Sequence, residues 1–489
     1  MENAVPRNPD FRFREPVSFV IESGEHIAFV GPNGGGKSVL VRMMIGHYPL
    51  KEGKVSYEFS PSPVYENVKF VAFRDSYGPA DSSYYLQQRW NSQDREESPL
   101  VGDVLGPVSK NHLADKLFDL FDIGKMLGKQ LVLLSSGEMR KFQLTKALLK
   151  RPRILMIDNP FIGLDAMTRN QLSDLLNELS GMGGIQILLL LSKADEIPDF
   201  ITHIIPVERM SCGEKVIREV FYPVIPEIPA VKELCPPESA YVSGIYIRDK
   251  KGGDKKKNDI VIDLRHVSIR YGMRTILSSL DWRVKRGEKW ALLGENGSGK
   301  STLLSLVCAD NPQSYACDIS LFGFCRGSGE SIWDIKKRIG YVSPEMHRAY
   351  CEDLPVIDIV ASGLHDSVGL YVRPKPEQYA ACEWWMDVFG ISRLRERRFL
   401  QISDGEQRMA LLARAFVKNP ELLILDEPMH GLDSYNRLLV KTVMEAFCRC
   451  PDKTLIMVTH YMQDLPECIT DTLTLVKGKS NKIRNKFNN

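Results

Sequence analysis

The sequence predicts an α/β fold that is built twice along one chain of 489 residues. A glycine-rich motif occurs as GPNGGGKS from Gly31 and as GENGSGKS from Gly294, each time between an apolar strand-like segment and a helical segment. An apolar run that ends in aspartate also occurs twice, at Asp158 and Asp426. With 43% apolar and 26% charged residues, the composition is that of a globular protein. Each copy is therefore predicted to contain a mainly parallel central sheet.

The motifs keep their order and spacing in both copies. The glycine-rich motifs begin 263 positions apart (294 − 31), and the motifs LSSGE and ISDGE, with serines Ser135 and Ser403, lie 268 positions apart (403 − 135). The segments that follow them have apolar residues at helical spacing and end at a proline. The pattern indicates a tandem duplication of one domain.

The boundary between the copies is expected where proline and lysine accumulate. The stretch PVIPEIPAVKELCPP contains five prolines, and the basic stretch KKGGDKKK follows it. We expect a first domain over 1–222, a linker over 223–259 and a second domain over 260–489.

Composition excludes several classes of protein. The longest apolar run, ILLLL at 187–191, is far shorter than the roughly 20 residues that span a bilayer, so no membrane span is expected. A net charge of +2 gives no global attraction to nucleic acid. None of the ten cysteines forms a C-x-x-C pair, which favours reduced structural thiols. We expect a cytoplasmic protein, for which peripheral association with the inner face of a membrane stays open.

The glycine-rich motif is typical of a phosphate cradle. Its glycines let backbone N–H groups approach phosphate oxygens, the lysine reaches the β and γ oxygens, and the serine hydroxyl helps to hold Mg²⁺. The residues assigned to nucleotide binding on this basis are Gly31, Asn33, Gly34, Gly36, Lys37 and Ser38 in the first copy, and Gly294, Asn296, Gly297, Gly299, Lys300, Ser301 and Thr302 in the second.

The aspartate that ends the later apolar strand is expected to hold the metal. Asp158 and Asp426 are thus assigned to Mg²⁺ together with Ser38 and Ser301. The next residue differs between the copies, because Glu427 can accept a proton from an attacking water and Asn159 cannot.

Two long stretches resemble ATP-binding cassette (ABC) ATPases: LSSGEMRKFQLTKALLKRPRILMIDNPFIGLD, and ISDGEQRMALLARAFVKNPELLILDEPMHGLD with VTH at 458–460. The resemblance implies two P-loop NTPase domains, each with a mainly parallel sheet and a helical subdomain that carries the signature motif. It also implies that two ATP molecules, with Mg²⁺, are sandwiched between the two domains of the chain.

The resemblance assigns further residues by their place in the motifs. The signature residues that would face ATP, and the aspartates of the following loop, are Ser135, Gly137, Ser403, Gly405, Asp165 and Asp433. Both signatures depart from L-S-G-G-Q at their third and fifth places, where this chain has Ser136 or Asp404 and Glu138 or Glu406.

The two expected sites differ at the positions that would touch the attacking water. The Lys300 site has Glu427 and His460, which match the family's catalytic glutamate and switch histidine, whereas the Lys37 site has Asn159 and, in the histidine's place, Lys193. We predict one hydrolytic site and one that mainly binds ATP. The alternative is that these replacements are neutral and both sites hydrolyse ATP.

Residues around the expected sites also depart from the family. Tyr271 lies at the place of the ring that stacks on adenine, while the first copy offers only Phe11 or Phe13. The glutamine that bridges Mg²⁺ and the membrane partner in transporters is replaced in the second copy by Pro344, followed by Glu345, and in the first copy by Arg74 or Asp75. Coupling to a membrane permease is therefore in doubt.

The stretch LFGFCRGSGESIWDIKKRIGYVS, with the second signature, is most similar to the ModF-type family, whose members are named as molybdate-transport ATP-binding or photorepair proteins. This resemblance implies the ATP-binding component of a transporter, with a separate membrane permease as partner. The alternative is an ATP-driven switch that acts on the ribosome, a nucleic acid or another macromolecule.

Overall fold

A computed structural model describes most of the chain. The residues outside the description are 60–62, 73–98, 108–111, 132–133, 135, 162–165, 182, 193–196, 222–258, 273, 296, 460–461, 477–478 and 484–489. Almost all of the expected linker, 223–259, is among them, as are Arg74, Asp75, Ser135, Asp165, Lys193, Asn296 and His460.

The chain divides into two compact units. The first consists mainly of Met1–Tyr77 and Glu97–Glu227, and the second mainly of Ile228–His430 and Asn436–Asn489. Each unit has its own central sheet.

The first unit alternates strands and helices along the sequence. Its strands are β1 (Glu2–Pro6), β2 (Ile27–Val30), β3 (Leu50–Lys54), β4 (Val68–Val71), β5 (Ile154–Asp158), β6 (Gln186–Leu191), β7 (His203–Glu208), β8 (Ser211–Cys212) and β9 (Val216–Ile217). Its helices are α1 (Lys37–Met44), α2 (Val64–Asn67), α3 (Val101–Leu105), α4 (His112–Phe121), α5 (Ser136–Leu148) and α6 (Ala166–Gly181).

The second unit repeats this alternation after an antiparallel sheet of its own. Its strands are β10 (Ile260–Tyr271), β11 (Arg274–Lys285), β12 (Lys289–Gly294), β13 (Asp318–Leu321), β14 (Phe324–Cys325), β15 (Ile339–Val342), β16 (Leu422–Asp426), β17 (Thr454–Val458), β18 (Asp471–Val476) and β19 (Lys479–Ile483). Its helices are α7 (Lys300–Val307), α8 (Ile332–Lys336), α9 (Pro344–Ala349), α10 (Val356–Ser362), α11 (Pro376–Val388), α12 (Asp404–Phe416) and α13 (Ser434–Cys448).

The central sheets of the two units have the same strand order. In the first unit, parallel strands are arranged β4-β5-β6-β2-β7, and in the second β15-β16-β17-β12-β18. Antiparallel strands extend both sheets beyond this core, with β8 and β9 paired to β7 and β19 paired to β18. The predicted α/β fold with two mainly parallel sheets is confirmed.

Apolar residues on both faces of each sheet explain why these strands are buried. All four residues of β2 and all five residues of β16 are buried, as is typical of parallel strands that helices cover on both sides. The second unit also contains a four-stranded antiparallel sheet, β11-β10-β13-β14. Its Trp282 packs edge-on against Trp290 of the parallel sheet, with ring centroids 5.8 Å apart.

No helix in the described part of the chain is long and apolar enough to cross a lipid bilayer.

Candidate functional site

The carboxyl ends of the parallel strands carry the phosphate loop in each unit. Strand β2 leads through the loop to α1, which begins at Lys37, and β12 leads in the same way to α7, which begins at Lys300. Each loop follows a strand in the middle of its sheet, where ligands of parallel α/β sheets bind.

The first glycine of each loop is required by the neighbouring strand. A Cβ atom on Gly31 would lie 2.0 Å from the carbonyl oxygen of Val207 in β7, and one on Gly294 would lie 2.4 Å from that of Leu475 in β18. The last glycines, Gly36 and Gly299, have φ values of 112° and 103°, which strongly favour glycine. The glycine pattern thus has the same steric cause in both units.

The lysine of each loop is buried and folded back onto it. Lys37 Nζ donates to the carbonyl oxygens of Gly31 (2.6 Å) and Pro32 (2.8 Å), and Lys300 Nζ donates to those of Gly294 (2.6 Å) and Glu295 (2.9 Å). Burial lowers the pKa of Lys37 to about 8, although the negative charge of Asp158 opposes the shift. A buried amine that the loop carbonyls hold in place is well placed to take a phosphate oxygen as a partner.

A hydroxyl and a carboxylate meet beside the first phosphate loop. Ser38 Oγ lies 3.4 Å from Asp158 Oδ2, and Asp158 is the last residue of β5. In the second unit, Asp426 ends β16 in the same way and is buried. Burial and the negative charges of Glu345 and Glu427 hold the pKa of Asp426 well above its ordinary value, and Lys300 opposes this only in part.

These donor sets suit Mg²⁺. The cation prefers oxygen ligands and is usually held by one or two carboxylates together with substrate phosphates. The described residues contain no group of three or more His, Cys, Asp or Glu side chains that could hold a metal ion.

The residue after the strand-end aspartate has the same backbone geometry in both units. Asn159 has a φ of 43° and Glu427 a φ of 48°, and each donates its N–H over 2.9 Å to the neighbouring strand, to Leu190 and Val458 respectively. The two side chains therefore begin at equivalent points of the two units. The first unit presents an amide there, and the second unit presents a carboxylate.

The carboxylate of Glu427 has a neighbour that the sequence did not suggest. His430 Nδ1 lies 3.3 Å from Glu427 Oε2. The predicted switch histidine, His460, lies outside the described residues. The motif DEPMHGLD contained this histidine, but nothing in its spacing distinguished it from a loop residue.

Strand registers correct one predicted residue. Asp158 pairs with Leu190, and Asp426 pairs with Val458. Position 460 is two residues beyond Val458, so its equivalent in the first unit is Ser192 rather than Lys193. The 268-residue offset between the strand-end aspartates gives the same alignment (460 − 268 = 192), so the assignment of Lys193 was displaced by one residue.

Ser192 contacts Asn159 directly. Its N–H and its hydroxyl both donate to Asn159 Oδ1 over 3.1 Å, and Asn159 Nδ2 donates to Asp158 Oδ1 over 2.8 Å. Asn159 and Ser192, which stand where the second unit has Glu427 and His460, are therefore hydrogen-bonded to each other.

The signature segments begin helices. Ser403 is the N-cap of α12, where its hydroxyl accepts from the Glu406 N–H (3.4 Å) and Glu406 Oε2 accepts from the Ser403 N–H (3.0 Å). The glutamate in the fifth signature place thus completes a capping box. Gly405 lies buried in the first turn, and in the first unit Gly137 lies in the first turn of α5.

An arginine from each signature helix was missed by the sequence analysis. Arg140 donates to the carbonyl oxygens of Ala72 (3.0 Å), Asp158 and Asn159 (3.1 Å). Arg408, 268 positions later, donates to the carbonyl oxygen of His430 over 2.6 Å, and burial lowers its pKa to about 10. Because both arginines are related by the 268-residue offset of the two signature motifs, the sequence could have identified them.

The remaining predicted residues occupy different surroundings. Tyr271 is 52% exposed, and its hydroxyl accepts a hydrogen bond from Asn311 Nδ2 (3.0 Å). Of the two phenylalanines proposed for the first unit, Phe11 stacks on Tyr48 at 4.5 Å, whereas Phe13 is buried against Gly36 of the phosphate loop.

The other assigned residues lie where their motifs place them. Asn33 and Gly34 lie in the first loop and Gly297 in the second, Ser301 and Thr302 lie in α7, and Asp433 is buried directly before α13.

The segment in place of the transporter glutamine forms a short helix. Pro344 begins α9, and Ser343 caps it by accepting from the N–H of Met346 over 3.1 Å. The helix is joined to the signature helix α12 by a contact of 3.1 Å between His347 Nε2 and Gln407 Oε1. Glu345, in the first turn, adds a third carboxylate whose charge acts on Asp426.

Two phosphate loops, each with a strand-end aspartate and a signature helix, define a tandem P-loop nucleotide-binding protein. The family model described as ABC transporter matches residues 14–162 and 277–430. The chain belongs to the ABC transporter family and is an ABC-type ATPase.

Similar proteins span nearly the whole chain. It is 35% identical to the ABC transporter ATP-binding protein ModF of Escherichia coli (strain K12), over 96% of this chain and 95% of that protein. It is 30% identical to the uncharacterized ABC transporter ATP-binding protein C323.04 of Schizosaccharomyces pombe, over 95% and 94%. The resemblance to ModF-type proteins is confirmed.

A solved structure shows a similar fold. The archaeal ribosome recycling factor aABCE1, determined in complex with the ribosomal stalk protein aP1, matches with a TM-score of 0.54 at 17% identity, over 96% of this chain and 87% of that one.

Proposed function

We propose that the two nucleotide sites of this ATPase have different tasks, one hydrolysing ATP and the other retaining it. The observation that carries the proposal is the pair Asn159 and Glu427, which share a backbone conformation but differ in their ability to accept a proton. In the second unit, Glu427 would deprotonate or orient the attacking water, and Lys300 would bind the phosphates.

Mg²⁺ would be held by Ser301 and Asp426 in the second unit and by Ser38 and Asp158 in the first. When bound, it neutralises phosphate charge and helps to align the terminal phosphate. Its charge would also oppose the burial and the repulsion by Glu345 and Glu427 that raise the pKa of Asp426. The two units would act together on two ATP molecules, as the family resemblance implies.

The first test is the steady-state ATPase activity of Glu427→Gln. We expect a loss of about 10²- to 10⁴-fold, because a positioned general base contributes that much, while ATP stays bound after gel filtration. Glu377→Gln, the same change at an exposed residue of α11, should retain wild-type turnover. Turnover that survives in Glu427→Gln would assign hydrolysis to the Lys37 site and contradict the proposal.

We further propose that this ATPase energises a separate membrane permease, with molybdate as the substrate that similarity to ModF suggests. Support comes from the 35% sequence identity to the ABC transporter ATP-binding protein ModF, which extends over nearly the full length of both proteins.

A second candidate is an ATP-driven switch on the ribosome or another macromolecule. It is favoured by α9, which has Pro344 and Glu345 where transporters carry the coupling glutamine, and the fold similarity to aABCE1 is compatible with it.

The ATP-retaining Glu427→Gln variant distinguishes the two candidates. ATP-dependent co-purification with a permease from solubilised membranes supports transport, whereas ATP-dependent co-sedimentation with purified ribosomes supports the switch. Asp426→Asn, which should impair Mg²⁺ binding, serves as the negative control in both assays.

A further inference from the structure

In the first unit, Asn159 and Ser192 form one hydrogen-bonded network with the residues proposed to bind Mg²⁺, Asp158 and Ser38. Ser192 donates twice to Asn159 Oδ1, Asn159 Nδ2 donates to Asp158 Oδ1, and Asp158 Oδ2 lies 3.4 Å from Ser38 Oγ. Ser192 is buried and directly follows Leu191, the last residue of β6. This hydrogen-bond network therefore joins the ends of β6 and β5 to the start of α1.

The chemistry of the neighbours determines how the Asn159 amide is oriented. A backbone N–H can only donate, so the atom facing Ser192 N must be the amide oxygen. An ionised Asp158 can only accept, so the atom facing Asp158 Oδ1 must be the amide nitrogen. An amide satisfies both neighbours at once, whereas a carboxylate at position 159 would place an acceptor against an acceptor.

The orientation of Asp158 follows from this arrangement. One carboxylate oxygen is occupied by the Asn159 amide, and the other is turned toward the Ser38 hydroxyl. The first unit has therefore not simply lost a glutamate and a histidine. An amide and a small hydroxyl residue fill both positions and complement each other.

We infer that Asn159 and Ser192 form a positioning pair, which orients Asp158 for Mg²⁺ and thereby holds Mg²⁺-ATP in the first unit. This inference rests on the proposed function, in which the first site retains ATP. It identifies the residues responsible and assigns them a task in metal binding rather than in water activation.

The test uses the full chain carrying Lys300→Ala, which removes phosphate binding in the second unit, so that bound nucleotide reports the first. Mn²⁺ replaces Mg²⁺ as the probe, and its binding is titrated by electron paramagnetic resonance at saturating ATP. ATP affinity is measured separately in EDTA, because a positioning role should change the metal requirement and leave metal-free affinity unaltered.

Ser192→Ala should raise the Mn²⁺ concentration for half-saturation about threefold to tenfold, which is the effect of one lost hydrogen bond. Ser192→Thr keeps a hydroxyl and should restore Mn²⁺ binding. Asn159→Asp should have a larger effect, about tenfold or more, because it sets a second carboxylate against Asp158. Ser180→Ala, which removes a hydroxyl bonded within α6, is the matched control and should have no effect.

The possible failures are distinguishable. If the Lys300→Ala parent retains no ATP, the proposed function fails, and the inference fails with it. If the parent retains ATP while Ser192→Ala and Asn159→Asp bind Mn²⁺ as the parent does, the positioning pair alone is refuted. Equal losses of Mn²⁺ binding and of metal-free ATP affinity would indicate a merely structural role and would also refute it.

Discussion

At the level of single residues, the two units differ chemically at the position directly after the strand-end aspartate. Asn159 and Glu427 share a left-handed backbone and a 2.9 Å hydrogen bond to the next strand. Backbone geometry therefore does not account for the difference between the two side chains. The motif spacing was sufficient to align these two residues. The same 268-residue offset also aligns Ser192 with position 460 (460 − 268 = 192), and the strand registers agree with it.

A pH-dependent prediction concerns Lys37. Its folded-state pKa of about 8 lies below the ordinary 10.5, so the nucleotide-free fold binds fewer protons than the unfolded chain between these values and gains stability as the pH rises through them. Nearby ATP phosphates favour the charged amine, and binding at pH 8.5 should therefore take up a substantial fraction of a proton.

Calorimetry in buffers of different ionisation enthalpy measures this uptake in the Lys300→Ala background, with Mg²⁺ in excess. At pH 6.5, where Lys37 is already charged, the uptake should vanish. Lys37→Arg stays charged at both pH values and should show none. The same proton uptake at both pH values would contradict the assignment of this uptake to Lys37.

At the level of elements, the candidate site combines strand ends with the starts of helices. Helix α12 begins at a capping box that uses Ser403 and Glu406, both of which belong to the signature motif. The glutamate in the fifth place preserves this cap, since either glutamate or glutamine can complete the box. By contrast, the packing of α9 against α12 through His347 and Gln407 could not be read from the motif, because those residues are 60 positions apart.

Removing this cap should destabilise the second unit. Ser403→Ala is expected to lower the free energy of unfolding by about 1 kcal/mol, measured by urea denaturation without nucleotide. Ser403→Thr retains a capping hydroxyl and should lose less. An unchanged urea midpoint in Ser403→Ala would show that the capping box does not stabilise the helix.

At the level of the whole molecule, the duplication is visible in strand order, in register and in the placement of buried side chains. Leu148 at the end of α5 and Phe416 at the end of α12 are equivalent by the 268-residue offset, and both are fully buried within their own units. Each unit has its own set of packed apolar residues. A core defect is therefore expected to act within the unit that carries it.

Hydrogen exchange can test this expectation. Leu148→Ala should cost about 2–5 kcal/mol and Phe416→Ala about 3–5 kcal/mol, and each should accelerate amide exchange in its own unit. Val220→Ala and Val476→Ala, at exposed positions, are the controls and should change little. If either core variant accelerated exchange equally in both units, the two cores would not be independent.

The sequence by itself determined that this protein has two nucleotide-binding units and that their strand-end positions differ chemically. Local motifs suffice for this, because phosphate loops depend on glycine, lysine and serine at short, invariable spacing. Only the tertiary structure decided that Ser192 is hydrogen-bonded to Asn159, that His430 lies beside Glu427, and that Glu345 acts on Asp426. These contacts join residues from different strands and loops, and their partners are selected by strand register and packing, which no single stretch of sequence specifies.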